Sequence, residues 1–337
     1  METATSNSSS PISGLNKVKI SKLKTDEYKV PQPFLLRFIF PGRNIMRFLR
    51  NLFIVVLAVI LAGCAAVGPN LKIQVPDRAN PWTHLNLYNN PDNFQFAIVS
   101  DRTGGHRAGV FADAVEKLNL LKPEFVVSIG DLIEGYIEDD AGLNRQWDEF
   151  DGLVNKLQMP FFYVPGNHDI SNSVMAKKWQ ERLGSSYYHF LYRDVLFLCL
   201  NTQDGSSRWI DDEQMQYFRE VLKANRHVRW TLVFMHQPMW FSGSYENWQQ
   251  FELLLADRPY TVFAGHIHVY SKSIQEGRRY YLLATTGGAG TGPARKPAGI
   301  AECQFDHIVW ITMTDDGPVM ANLLLEGILD DEPCPPQ

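Results

Sequence analysis

The sequence predicts an α/β layered fold, and three observations lead there. Short apolar runs alternate with segments whose apolar residues recur at helical spacing. The alternation continues from residue 94 to about residue 330 with no internal repeat and no linker long enough to divide it, so 94–330 reads as one domain. Five of the runs stop abruptly at Asp, Asn or His. Composition agrees, since 45% hydrophobic and 20% charged residues in a chain of 337 suit an ordinary globular protein.

FQFAIVSD reads as a strand ending at Asp101, and AGVFADAVEKLNLLK as a helix that begins near His106. EFVVSIGD is a second strand, ending at Asp131, and QWDEFDGLVNKLQM a second helix. FFYVPGNHD runs into Asn167, His168 and Asp169. YYHFLYRDVLFLCLNT reads as a hairpin about Arg193-Asp194. DDEQMQYFREVLKANR is a helix with acidic residues at its start, where the helix dipole favours them. RWTLVFMHQP ends at His236, ENWQQFELLLAD is a further helix, and YTVFAGHIH ends at His266 and His268. RYYLLATTGGAG and DHIVWITMTDDGPVMANLLLE supply the last strands. Between them, TTGGAGTGPARKPAG is glycine-rich without the P-loop lysine pattern and reads as a mobile loop near the rim.

Ligand sites of layered α/β folds lie beyond the carboxyl ends of the strands, so the five endings are expected to meet at one rim. Asp101, Asp131, Asn167, His236, His266 and His268 offer oxygen and imidazole donors and no thiolate. That set suits Mn, Fe or Zn. Six donors are too many for one catalytic ion that keeps an open position, and they suffice for two ions sharing a carboxylate. Cys64, Cys199, Cys303 and Cys334 show no C-x-x-C spacing, which argues against a thiolate zinc site. A formal net charge of −5 gives no sign of a specific nucleic-acid partner.

GDLIEG at 130–135, GNHD at 166–169, MHQP around His236 and GHIH at 265–268 occur in an order that resembles the calcineurin-like metallophosphoesterases. The resemblance spans nearly all of residues 95–270 and implies a four-layer α/β/β/α sandwich with a two-metal site. It implies that Asp131 bridges the ions, that Asn167, His236 and His266 complete one site, and that Asp101 and His268 serve the other. His168 would be the general acid, with Asp169 orienting its imidazole. The expected reaction is hydrolysis of a phosphomonoester or phosphodiester by a metal-bound hydroxide. The alternative is a protein with a weakened metal site that binds a phosphorylated or anionic partner. Glu134 stands where purple acid phosphatases carry a tyrosine ligand, which argues against that branch.

The resemblance breaks at one place. The family's first motif is usually D-x-H, and here the triplet is Asp101-Arg102-Thr103. Three arrangements follow: a water held by Thr103, a ligand swung in from His106, or a weak metal site. Arg102, Thr103 and His106 are also candidate substrate contacts, with Arg102 either clamping a phosphate oxygen, pairing with Glu134 or lying at the surface. The aromatic-rich stretch from Trp240 to Trp248, just after His236, reads as a specificity loop.

The leading segment is of another kind. MRFLRNLFIVVLAVILAGC, Met46 to Cys64, has a basic head, a short apolar core and a small-residue end. That is signal-peptide anatomy, and L-A-G-C resembles the lipobox of bacterial lipoproteins. The expected product is an exported cell-envelope lipoprotein, membrane-anchored through a lipidated Cys64. Residues 65–93 are then a linker, and 1–45, polar and low in complexity at their start, read as a disordered or non-native extension with Met46 as the true start.

Overall fold

Eleven strands form two sheets in the computed structural model, which describes residues 90–204, 209–240 and 245–327 together with Thr83 and Leu87. The chain divides into two units, Met1–Asn80 and Pro81–Gln337, and every described residue belongs to the second. The expectations for the extension, the leader with Cys64, most of the linker, and residues 241–244 fall outside the described residues.

The first sheet has the order β11-β10-β1-β2-β3. It contains β1 (Phe94–Val99), β2 (Val126–Ser128), β3 (Phe161–Phe162), β10 (His307–Thr314) and β11 (Gly317–Leu324). β1, β2 and β3 run parallel, while β10 pairs antiparallel with β1 and β11. The second sheet has the order β4-β5-β6-β7-β9-β8. Its strands are β4 (Tyr188–Tyr192), β5 (Val195–Cys199), β6 (Trp230–Phe234), β7 (Tyr260–Ala264), β8 (Ser271–Gln275) and β9 (Arg278–Leu282). β5, β6, β7 and β9 run parallel, with β4 and β8 as antiparallel edges.

Strand side chains alternate between faces, and here both faces are buried, so the runs look continuously apolar in sequence. Phe94, Phe96 and Ile98 turn toward Phe197, Phe234 and Phe263 of the other sheet. Ala97 and Val99 turn outward, under α1 (Val110–Leu121), α2 (Asp140–Val154) and α3 (Ser173–Leu183). Leu198, Val233 and Val262 cover the opposite flank with Phe218 of α4 (Asp212–Ala224) and Trp248 and Phe251 of α5 (Tyr245–Leu255). Three apolar layers therefore separate four structural ones, the α/β/β/α sandwich expected.

Local chemistry sets the boundaries. Arg193 and Asp194 both take positive φ, 44° and 57°, which lets a two-residue turn follow the strand twist. Asp139 and Asp211 cap α2 and α4 by accepting from the amides of Gly142 and Gln214. Helix α1 starts at Val110, four residues after the expected point, because residues 104–109 form a glycine-rich turn. Among the described residues, no helix is long and apolar enough to cross a membrane.

Candidate metal centre

Each of β1, β2, β3, β6 and β7 ends a few residues before a polar side chain, and those side chains converge. Asp101, Asp131 and Asn167 come from the first sheet, His236, His266 and His268 from the second. Four of the six, Asp101, Asp131, His266 and His268, hold φ between 42° and 75°. Left-handed backbone is costly for residues with a Cβ and collects at functional sites. Two glycines make room: a Cβ on Gly166 would lie 2.1 Å from Asp131 Oδ1, and one on Gly265 2.2 Å from Asp101 Oδ2.

The donor atoms form two groups, Asp131–His236–His266 and Asp101–Asp131–His268, each within 4.8 Å of one another. Asp131 belongs to both, which is the geometry of a bridging ligand. His236 Nδ1 donates to the carbonyl of Ile129 at 2.9 Å, so Nε2 of the neutral ring presents a lone pair. That nitrogen faces Asn167 Oδ1 at 2.9 Å, Asp131 Oδ2 at 3.1 Å and His266 Nδ1 at 3.2 Å. His268 Nδ1 is likewise held by the carbonyl of Ala289 at 2.6 Å, and its Nε2 stands 3.4 Å from Asp101 Oδ1. Acceptors facing acceptors in a buried cluster call for a cation, and hard oxygens with imidazoles fit the transition metals expected. Asn167 adds a fourth donor to the first group, while the second has three.

The electrostatics agree. Burial opposes charge on His236, but the Asp131 carboxylate raises its imidazole to about 9. His268 rises to about 9 against the same burial, through Asp101. Burial also works against charge on Asp131, yet His236 and His168 hold its carboxyl at about 2. The site is built to hold positive charge between fixed carboxylates.

His168 borders this cluster: its Nδ1 is bonded to the carbonyl of Glu134 at 2.6 Å, leaving Nε2 for chemistry. Asp169 is not its partner. Its carboxylate accepts from the amides of Leu132 at 2.8 Å, Ile133 at 3.2 Å and Gly166 at 2.7 Å, tying the second and third motif loops together. Burial and the charge of Asp131 push its carboxyl up to about 7. The orienting role falls to a backbone carbonyl, which no side-chain pattern could signal.

The first-motif residues also differ from expectation. Arg102 is buried, pairs with Glu149 rather than Glu134, and donates to the carbonyl of Leu132 at 2.8 Å, so it does not face the metal cluster. His106 points at Glu134, 3.0 Å from its carboxylate, and belongs to neither donor group. Thr103 is fully buried, and its hydroxyl has no hydrogen-bond partner among the described residues. Burial disfavours charge on Glu134, but His106 and Gly105 hold its carboxyl at about 2. Glu134 therefore braces the first-motif loop instead of serving as a ligand. Trp240 and Trp248 are core residues packed on Tyr280, so the described ends of the expected specificity loop are structural. Tyr136 was not anticipated: its hydroxyl accepts from Asn167 Nδ2 at 2.8 Å, which turns Asn167 Oδ1 toward the donor cluster.

The fold and this cluster define a class, an α/β/β/α sandwich with a two-cation site at one rim. The calcineurin-like phosphoesterase family model matches residues 94–270, more than half of the chain, and the chain belongs to that family. Human serine/threonine-protein phosphatase CPPED1 is 29% identical over 184 residues, covering 46% of this chain and 56% of that protein. Purple acid phosphatase 5 of Arabidopsis thaliana is 25% identical over 163 residues, covering 45% of this chain and 38% of that protein. The chain thus spans about half the length, or less, of these curated relatives. A dimetal phosphatase from Danio rerio superposes with TM-score 0.51 at 15% identity, over 69% of this chain and 96% of that one. Purple acid phosphatase PPD1 from Lupinus luteus gives 0.54 at 14%, over 70% and 52%. At such identities the structural likeness is one of fold.

Proposed function

We propose that this chain hydrolyses phosphate esters with two bound metal ions. One observation supports the reading above the rest: two donor groups share Asp131, with the uncommitted Nε2 of His168 beside them. Metals held there would supply Lewis-acid activation of water and of the phosphoryl oxygens. The protein supplies the rest. Asp131 fixes the spacing of the two groups, and Asn167, held by Tyr136, closes the first. His168, as imidazolium anchored through Nδ1, gives its Nε2 proton to the departing oxygen. The donor set supports Mn, Fe or Zn, and elemental analysis of purified protein would identify them.

The test is hydrolysis of 4-nitrophenyl phosphate and bis(4-nitrophenyl) phosphate by protein reconstituted with Mn. Activity should be lost with chelator and in Asp131→Asn, and should fall by about 10²–10⁴-fold in His168→Ala with metal still bound. Full activity in either variant would refute the assignment.

We further propose that the domain works outside the cytoplasm, anchored through a lipidated Cys64. The basic head, short apolar core and L-A-G-C ending of residues 46–64 support this. Cys64→Ala should move the protein out of the membrane fraction, and an unchanged distribution would count against anchoring.

A further inference from the structure

The glycine-rich stretch 285–299 is cross-braced at the rim of the metal cluster. Gly288 N donates to the carbonyl of Asp101 at 2.8 Å, and Ala289 holds His268. Gly290 N bonds to the carbonyl of Arg295 at 2.8 Å and Gly292 N to that of Lys296 at 2.9 Å. Gln304 Oε1 accepts from the amides of Thr291 at 2.9 Å and Ala298 at 3.2 Å. At the tip, Ala294 and Arg295 both take left-handed backbone, φ 52° and 61°. Two successive residues with a Cβ in that region are costly, and the bracing holds them there.

That conformation lays the Arg295 guanidinium on Gly105. A Cβ at Gly105 would sit 2.0 Å from Nη2 and 2.4 Å from Cζ, and the positive φ of 88° there favours glycine. The neighbouring Gly104 faces the site itself: its Cβ would lie 2.8 Å from His268 Cε1 and 3.8 Å from His168 Nε2. Gly105, against which the guanidinium lies, directly follows the glycine that packs against His268 and His168 at the donor cluster. Three arginines surround this corner. Arg102 is committed to Glu149, and Arg107 to Asp306 at 2.8 Å and the carbonyl of Gly288 at 3.0 Å. Arg295 alone of the three is exposed and, among the described residues, has neither ion pair nor side-chain hydrogen bond.

A permanently charged, planar donor held at the mouth of a site for phosphate esters has an evident use. We propose that Arg295 clamps the free anionic oxygens of the substrate phosphoryl group and thereby makes the enzyme prefer phosphomonoester dianions to diesters. The role considered for Arg102 from the sequence passes to a residue nearly two hundred positions downstream. This inference rests on the phosphoesterase reading, and its test separates the two.

The experiment compares the full chain with Arg295→Ala and Arg295→Lys, all loaded with Mn. Arg295 is exposed, so the variants are expected to fold, and unchanged melting and metal titrations would verify it. On 4-nitrophenyl phosphate, Arg295→Ala should lose about 10- to 100-fold in kcat/KM, mostly through KM, the range expected for a charge-assisted hydrogen bond. Inhibition by inorganic phosphate should weaken by a similar factor, and Arg295→Lys should recover part of both. On bis(4-nitrophenyl) phosphate the loss should stay within about threefold. Monoester kinetics unchanged in Arg295→Ala, or equal losses on both esters, would overturn the clamp while leaving the phosphoesterase reading intact. If the wild type hydrolyses neither ester, that reading falls. Calorimetry with inorganic phosphate then still decides Arg295, and equal affinities in wild type and Arg295→Ala would overturn it.

Discussion

At the scale of single residues, the side chains of the two donor groups are matched by a less visible set that aims them. Three histidines, His168, His236 and His268, each turn Nδ1 to a backbone carbonyl and so present Nε2 to the cluster. Asn167 has no such built-in direction, because its amide presents a donor and an acceptor of similar size. Tyr136 decides it by accepting from Nδ2 at 2.8 Å, although it is itself 60% exposed. Removing that hydroxyl leaves the amide free to rotate. Tyr136→Phe should therefore weaken the tighter metal site by roughly tenfold, as loss of an orienting partner does elsewhere. Its ring still meets that of His168 edge to face, so folding should be unaffected. Metal titration by calorimetry checks this, and an unchanged first affinity would show that Asn167 needs no such support.

At the scale of elements, what could be read in the sequence followed burial. β1, β5, β6 and β7 are buried on both faces, and the polar residues that end them stand out against apolar runs. Helix α3 was not foreseen because it buries only Met175 and Trp179, and β8 because it is a mostly exposed edge strand, Ser-Lys-Ser-Ile-Gln. The contacts of Asp169 and Arg102 are illegible in the sequence for another reason: their partners are backbone groups or residues far along the chain. His307 on β10 shows a cost that no motif announces. It is fully buried, with Nδ1 on Asn322 Oδ1 at 3.0 Å and, among the described residues, no partner for Nε2. Burial lowers its pKa from the ordinary 6.5 to about 4. Between those values the unfolded chain binds a proton that the folded chain refuses, so stability falls as pH drops from 6.5 toward 4. The loss attributable to this group is about 3 kcal/mol at the bottom of the window. Urea unfolding of wild type and His307→Gln in chelator, at several pH values, isolates it. Identical pH slopes in the two proteins would show that His307 is not the source.

At the scale of the whole molecule, the metal centre joins the two sheets. Asp101, Asp131 and Asn167 extend from one, and His236, His266 and His268 from the other, across the apolar layer that holds them face to face. Cations bound between these ends act as a clamp, because the unfolded chain cannot assemble donors so far apart in sequence. Linkage then sets the size of the effect: metal at a hundred times its dissociation constant adds about 2.7 kcal/mol. For a domain of this size that corresponds to a melting point roughly 5–10 °C higher. The two sites should contribute unequally. The first draws on Asp131, His236, His266 and Asn167, while the second has Asp101, Asp131 and His268, with Thr103 where the family usually has a histidine. Melting measured against free Mn should therefore rise in two stages, and calorimetry should resolve a tight and a loose affinity. Asp101→Asn should remove the stage at higher metal, Asp131→Asn both, and His168→Ala neither, since His168 lies outside both donor groups. A single stage that survives Asp131→Asn would mean that no shared carboxylate bridges the sheets.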